Sequence, residues 1–472
     1  MPYAQKKANA VTGKLREKVL LADTIGRSLC LRQTRMDRNN SCSAPPRILD
    51  SRPSLGSETP VSQWLSVPGQ QLPGSATTSS DTLTTESLDS TLCNTSNAPS
   101  ERGHSTPVDS IPPQTRIVSL SGTATTQDVE RLGLEHGLPS QMGLMDSSYS
   151  IFVNEQGNGG LCFKVLDKVA VVLGEPMCHS MQISALMAEF KLYRRRKRWR
   201  MSVLGASKGL VEYFACKRKR GSTILQFGYN RVMNPLTNEV IHEASGKRIL
   251  TQNRQLLNPG KGGISLDIYT PSVHGKNYQL EWELSAIYHD WCMARNATDK
   301  PQAFITEYDP FLMPTLMTYI YARDQNSTVV GFAALRWVGM KGGYHIDPCI
   351  AVPAARKGIT DLLLFASMAY LRQRGISYLS VGYEPSESLA EISGLPGPLA
   401  SLTERLYQFT FDRLPISGKR AYFDKFRPDA EQSEPVYLIF PSKVPRPRDV
   451  VAVAHAANIR IRLLVFRGSP GS

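Results

Sequence analysis

Apolar positions along this chain change from a strand pattern to a helix pattern, and they do so twice in the same order. Val169 to Leu173 is an unbroken apolar run of strand length that ends in Gly174-Glu175-Pro176-Met177-Cys178. Ile183, Leu186, Met187 and Phe190 then recur at i, i+3, i+4 and i+7, the stripe of a helix buried along one side. After a basic stretch comes a second apolar strand, Met201 to Gly205. Roughly 170 residues downstream, a separation on the scale of one small domain, the order returns. Tyr344-His345-Ile346 runs into Asp347-Pro348-Cys349, and a helix follows from Lys357 to Arg374. Its stripe, Ile359, Leu362, Leu363 and Ala366, has the same offsets, and the strand Ile376 to Gly382 completes the copy. Each copy is therefore strand, acid-proline turn, helix, strand. Two such units imply a cleft with an acid at its edge, where chemistry is expected.

The remaining pattern fills in around these units. Thr126 to His136 is predicted as a short helix, and Tyr149 to Val153 and Leu161 to Val165 as strands joined through Gly157-Asn158-Gly159-Gly160. Gln279 to Asn296 reads as an amphipathic helix, Thr328 to Val338 and Val436 to Phe440 as strands. Residues 1–40 are basic: the pattern fits a solvated tail, with a transit peptide and a membrane-surface helix as alternatives. From Ser41 to Gln114 the chain is rich in Ser, Thr and Pro and poor in aromatics, too little apolar surface to offset the entropy of ordering, so disorder is predicted. The expected division is 1–115 basic then disordered, 116–275 and 276–445 two similar α/β domains, and 446–472 a basic apolar tail. In that tail Val450 to Phe466 fits either a membrane-resting segment or a packed final strand.

Charge narrows the partners. A net charge of +14 and a pI of 9.4 favour an anionic partner, nucleic acid or acidic lipid alike. The eight cysteines include no Cys-x-x-Cys pair, so neither structural zinc nor a disulfide framework is expected, which fits a reducing compartment. No run approaches the roughly 18 apolar residues of a membrane span, and a cytoplasmic protein, peripheral at membranes at most, is the expectation. The densest basic cluster is Arg194, Arg195, Arg196, Lys197, Arg198 and Arg200, interleaved with Tyr193 and Trp199, and Lys217 to Arg220 follows. Such a cluster suits a phosphate backbone with a stacked base; a solvated helix end or a nuclear-localisation patch is the plainer alternative. At the start of the second-copy helix, Ala355-Arg356-Lys357-Gly358-Ile359-Thr360 stands where a coenzyme A enzyme of this architecture carries a pyrophosphate loop. Two of that loop's positions are lost, although the helix N-terminus with Arg356 and Lys357 still favours an anion. Gly260-Lys261-Gly262-Gly263 lacks the full phosphate-loop pattern and reads as a flexible connection.

From Ser148 to Phe440 the residues resemble the C-terminal transferase domain of bacterial aminoacyl-phosphatidylglycerol synthases and the fungal relatives that acylate sterols. Leu173-Gly174-Glu175-Pro176 stands at the family's Gly-Asp-Pro turn, and Gly246-Lys247-Arg248 with Asn253-Arg254 at its Gly-Lys…Asn-Arg stretch. Asp347, Gly358, Asp361 and Val381 to Pro385 follow in family order. Tyr422 to Pro428 and Pro435 to Leu438 resemble its terminal Phe-x-x-Lys-Phe…Pro…Tyr-Leu signature. Ile350 replaces a bacterial Arg, and Glu384-Pro385-Ser386 replaces Ala-Pro-Leu; both departures point to a changed acceptor or amino acid.

The resemblance implies an α/β fold of tandem GNAT-type domains and an aminoacyl-tRNA as co-substrate, with no cofactor and no metal. It implies a lipid hydroxyl as acceptor, and the free-standing form with a Ser/Thr-rich N-terminus resembles the branch that joins glycine from glycyl-tRNA to ergosterol. Aminoacylation of phosphatidylglycerol, a coenzyme-A-dependent N-acyltransferase and a non-catalytic RNA- or membrane-binding module are the competing readings. Under it Asp347 is the base or the anchor of the donor's α-ammonium, with Glu384 a second candidate anchor. Lys425 stabilises the oxyanion or binds the terminal tRNA phosphate. Arg194, Arg195, Arg196, Lys197, Arg198, Arg200, Lys247, Arg254, Arg356 and Lys357 guide the tRNA.

Overall fold

The computed structural model describes residues 19–39, 116–119, 126–216, 221–297, 309–414 and 417–459. The predicted disorder of 41–114 and the Lys217 to Arg220 cluster lie outside these residues. In chain order the elements begin with α1 (Leu21–Asn39), β1 (Arg116–Ser119), α2 (Thr126–His136), β2 (Ser150–Val153), β3 (Gly160–Leu166), β4 (Val169–Leu173), α3 (Ile183–Arg196), β5 (Arg200–Ala206) and α4 (Lys208–Cys216). There follow β6 (Thr223–Met233), α5 (Lys247–Leu257), β7 (Ser265–Tyr269), α6 (Pro271–His274), α7 (Tyr278–Asn296), β8 (Met317–Arg323), β9 (Val329–Val338) and β10 (Gly343–Ala351). The chain continues through α8 (Ile359–Gln373), β11 (Leu379–Pro385), β12 (Glu391–Ser393), α9 (Gly397–Phe411), α10 (Ser417–Asp424), β13 (Asp429–Phe440) and α11 (Pro447–Ala456).

Both predicted units are present as parallel strand pairs joined by a helix, β4-α3-β5 and β10-α8-β11. They share one mixed sheet, ordered β1-β2-β3-β4-β5-β13-β6-β11-β10-β9-β8-β7, with β12 on β6. At its centre β13 enters between β5 and β6, so strands from 116–275 and 276–445 alternate there. Side-chain alternation explains the layering. Along β4, Val169, Val171 and Leu173 enter one core while Ala170 and Val172 enter another. Along β8, Met317, Tyr319 and Tyr321 join that same first core, and Ile320 and Ala322 a third. One apolar layer therefore runs beneath both units. Helix α8 is buried from Ile359 to Leu371 except at Thr360, because other helices cover the side turned from the sheet.

Two terminal expectations are corrected. Residues 21–39 are a docked helix, not a solvated basic tail: Ala22, Ile25 and Leu29 are buried with α8 residues in one core. Asp23 meets Arg372 at 2.6 Å, and Gln33 accepts from the Tyr370 hydroxyl at 2.8 Å. Arg27 and Arg32 are exposed beside this narrow stripe of small and aliphatic side chains. At the other end, 447–456 forms a helix, α11, and not a strand, and buries Ala452, Val453 and Asp449; the rest of the expected tail, 460–472, lies outside the described residues. Gly260 to Gly263 is an ordered turn whose Lys261, Gly262 and Gly263 N–H groups all donate to the Asn258 carbonyl.

Candidate active site

The two units treat their acid-proline turns differently. In the first, β4 and β5 pair without interruption from Val169↔Arg200 to Leu173↔Leu204. Glu175 accepts from the Ser207 hydroxyl and from Leu210 N–H (3.2 Å), so its carboxylate caps the start of α4. That acid is used by the fold. In the second unit β10 and β11 pair only at Tyr344↔Leu379 and His345↔Ser380. Beyond these residues β10 bulges between Ile346 and Cys349, at the cis Asp347-Pro348 bond, and stays with β9, while β11 stays with β6. The strands part, and Asp347 and Gly382 to Glu384 stand on the two sides of the parting.

Around this opening the structure gathers residues that the sequence patterns did not single out. Asn230 donates to the Tyr378 hydroxyl (2.9 Å) and accepts from Ser380 Oγ (2.6 Å). With its one proton so used, Ser380 Oγ accepts from His345 Nδ1 (3.2 Å) and Gly382 N–H (3.2 Å). This network assigns the proton of His345 to Nδ1. Its Nε2 is then a bare lone pair, buried and without a partner. Burial, then Arg336 and Lys419, hold the imidazole well below its ordinary pKa of 6.5, so it is neutral. Lys419 of α10 is exposed as a residue, and its ammonium donates to the Tyr383 carbonyl at 3.5 Å. Desolvation lowers its pKa, opposed by Asp347 and Glu384 and aided by Arg295. Gly382, at φ 89°, leaves vacant the place of a side chain, bordered by His345 Cε1 and Lys419 Nζ at 3.5 Å each. The edge of a neutral imidazole, through its Cε1, and the Lys419 ammonium thus border one small space. A lone His inside an apolar strand was the available signal.

The sequence-predicted residues fall into separate groups. Lys425 lies 2.6 Å from Asp361 and 4.1 Å from the Tyr422 ring centroid. It lines a cavity of about 600 Å³ with Gly246, Lys247, Arg248, Gln252 and Arg427. Lys247 and Arg248 are exposed at the start of α5, where Gly246 takes φ 71°. Glu384 is held at 2.9 Å by Arg231 and at 3.4 Å by Arg420, guanidinium groups it shares with Asp424 (2.6 Å) and Glu387 (3.1 Å). Arg254 pairs with Glu243 at 2.7 Å, and Arg356 donates to the Lys261 carbonyl at 2.8 Å. The Lys357 carbonyl accepts from Gln252 Nε2 at 2.7 Å. This side chain occupies the loop where a pyrophosphate would rest, and a Cβ on Gly358 would meet it at 2.2 Å.

The basic cluster is divided by its surroundings. Arg200 makes a two-pronged pair with buried Asp449, both contacts at 2.7 Å. Arg194 donates to the Trp199 carbonyl at 3.1 Å. Tyr193 and Trp199 are half-buried against the core through Phe152, Phe163 and Phe190, so they are not a freely exposed stacking platform. Arg195, Arg196, Lys197 and Arg198 remain exposed.

A parallel strand pair that opens beyond a bulged acid-proline turn, with a helix N-terminus and a basic cavity beside it, defines an acyltransferase-type α/β fold. The likeness to known proteins is more specific. The chain belongs to the family of the C-terminal region of phosphatidylglycerol lysyltransferase, whose model matches residues 138–440. Two solved structures share the fold. One is the C-terminal domain of a putative lysylphosphatidylglycerol synthetase from Agrobacterium fabrum: 17% identity, TM-score 0.53, 74% of this chain and 98% of that one covered. The other is L-PGS from Bacillus licheniformis, at 16% identity and TM-score 0.54, covering 71% of this chain and 97% of that one. No curated protein matches the chain by sequence. Among the described residues no helix is long and apolar enough to cross a membrane.

Proposed function

We propose that this protein transfers an amino acid from an aminoacyl-tRNA to the hydroxyl of a membrane lipid, with glycine and ergosterol as the pair. The observation that carries this reading is the opening between β10 and β11, bordered at Gly382 by His345 and Lys419 and linked through Glu384, Arg231 and Asp424 to the cavity lined by Lys247, Arg248 and Lys425. An aminoacyl ester is already activated, so the protein must chiefly position it, accept a proton and stabilise an oxyanion. The acceptor hydroxyl attacks the ester carbonyl carbon and gives its proton to His345 Nε2. Lys419 faces the oxygen as it gains charge. The intermediate then collapses, the ribose oxygen leaves, and it takes back the proton from His345. Asp347 holds the α-ammonium of the donor, and Lys425 a phosphate near the tRNA end. Glu384 keeps Arg231 and Arg420 in place. Gln252 in the Gly358 loop opposes coenzyme A as the donor.

The experiment mixes the full chain with total tRNA, synthetases, one labelled amino acid at a time, and vesicles containing ergosterol or phosphatidylglycerol. RNase-sensitive label in ergosterol, strongest with glycine, is the expected result. Label in phosphatidylglycerol would keep the reaction and replace the acceptor. No label in any lipid would overturn the transferase reading.

A further inference from the structure

Helix α9 is inside out. Its half-buried side is Ala400, Thr403, Glu404, Tyr407, Thr410 and Phe411, mostly polar and engaged with the protein. Glu404 accepts from Leu389 N–H at 3.3 Å. The Tyr407 hydroxyl lies 2.8 Å from the Phe227 carbonyl and 2.7 Å from that of Ser386, donating to one at a time. The outward side carries Leu399, Leu402, Leu406 and Phe409, which are 37%, 51%, 59% and 42% exposed. At 3.6 residues per turn these four fall within an arc of about 80°. A surface helix ordinarily turns such a stripe toward the core and its polar side to water. Here no residue of the helix is buried, and its apolar stripe faces out.

Charge indicates what the stripe meets. Arg405 lies beside it on the helical wheel, and the Arg413 guanidinium sits 3.5 Å from the Phe409 ring centroid. The single acid of α9, Glu404, is turned inward. An outward surface of leucines and a phenylalanine edged by arginines matches the boundary between acyl chains and anionic headgroups, where long cationic side chains reach phosphate while their stems stay apolar. The location fits as well. Tyr407 ties α9 to Ser386, one residue beyond β11, the strand that forms one side of the opening.

We infer that α9 seats the protein on an anionic lipid surface, its Leu399–Phe409 stripe entering the acyl boundary and Arg405 and Arg413 meeting headgroup phosphates. This rests on the lipid-acceptor reading and names the element that brings the opening to its substrate.

The test is co-flotation of the full chain with vesicles of phosphatidylcholine alone or with a minority of phosphatidylglycerol. Wild type should float, more strongly with the anionic lipid. The double variant Leu402→Glu/Leu406→Glu should lose binding by about tenfold or more at an unchanged melting temperature. Val450→Glu/Val451→Glu, at the exposed valines of α11, should float like wild type. The inference is overturned if wild type does not float, or if the α9 variant floats as well as wild type. It is equally overturned if the stripe mediates self-association that the variant abolishes, without vesicle binding. Label transfer to detergent-dispersed acceptor is followed in parallel. Flotation that depends on α9 with no label in any lipid would sink the transferase reading and leave the docking surface standing.

Discussion

The basic run from Arg194 to Arg200 should split under mutation into a part that holds the fold and a part that faces RNA. Asp449 is 1% exposed and accepts three contacts: Arg200 Nε and Nη2 at 2.7 Å each, and Arg446 N–H at 2.9 Å. Removing one partner of a fully buried pair costs about 3–5 kcal/mol. The Arg200 side chain is 28% exposed, so water can reach the stranded guanidinium, and about 2–3 kcal/mol is the reasoned loss for Asp449→Ala. Unfolding entropy of about 2.1 cal/mol/K per residue over a folded unit of roughly 340 residues turns this into a fall in Tm of about 3–4 °C. Arg200→Ala should cost more, because it strands a carboxylate that is 1% exposed with the Arg446 N–H as its remaining donor among the three. Replacing Arg195, Arg196, Lys197 and Arg198 together by Ala should leave Tm unchanged. If each meets one phosphate, the slope of log K for tRNA against log salt should become shallower by up to about 3–4. Calorimetry and a salt series of filter-binding isotherms read the two effects separately. Arg200→Ala weakening tRNA binding as much as the fourfold variant, with no change in Tm, would refute the division.

Three further outcomes follow from the same geometry. His345→Gln should lower kcat by about 100-fold or more with little change in KM for the aminoacyl-tRNA. It should also remove a pH dependence of stability. The unfolded chain takes up a proton below pH 6.5 that the buried imidazole refuses, so wild type loses stability as pH falls from 6.5 toward the depressed folded value; an equal loss in the variant would contradict the burial argument. Lys425→Ala should raise KM for the aminoacyl-tRNA at an unchanged Tm to within about 1–2 °C, because its pair with Asp361 is partly exposed; a change in kcat alone would exclude the phosphate role. Ile25→Asp should destabilise the protein by about 3 kcal/mol or more, since Ile25 is 5% exposed within an apolar core, and an unchanged unfolding curve would show that α1 does not dock.

Local patterns were legible in the sequence where one element owns its own signal. The β4 and α8 stripes and the α2 boundaries agree because their apolar periods report a face buried along the whole element. What was not legible depends on partners far along the chain. Strand β6 carries Asn230 and Arg231, which resemble loop residues until Tyr378, Ser380 and Glu384 arrive beside them. Trp199 and Tyr193 lie in a basic run, and only the neighbouring phenylalanines draw them against the core. Helix α1 hides a three-residue stripe among cations. Helix α9 reverses the usual pattern, so its polarity gives no cue to its orientation. The prominence of Asp347 followed from its turn. His345, two residues earlier, owes its tautomer to Ser380 and its depressed basicity to burial, Arg336 and Lys419, none of which its own strand announces.

The docking of α1 changes where the protein may be cut. Its apolar side is completed by α8, more than three hundred residues away in the chain, and α11 is clamped to β5 through Asp449. Both elements lie outside the span shared with the family. A fragment trimmed to that shared span would uncover one side of α8 and strand Arg200 without its carboxylate. A chain nicked between Asn39 and Arg116 would instead keep α1 in place by contact alone. The molecule therefore tolerates a break better than a deletion, and a short peptide carrying residues 19–39 should restore a version that lacks them.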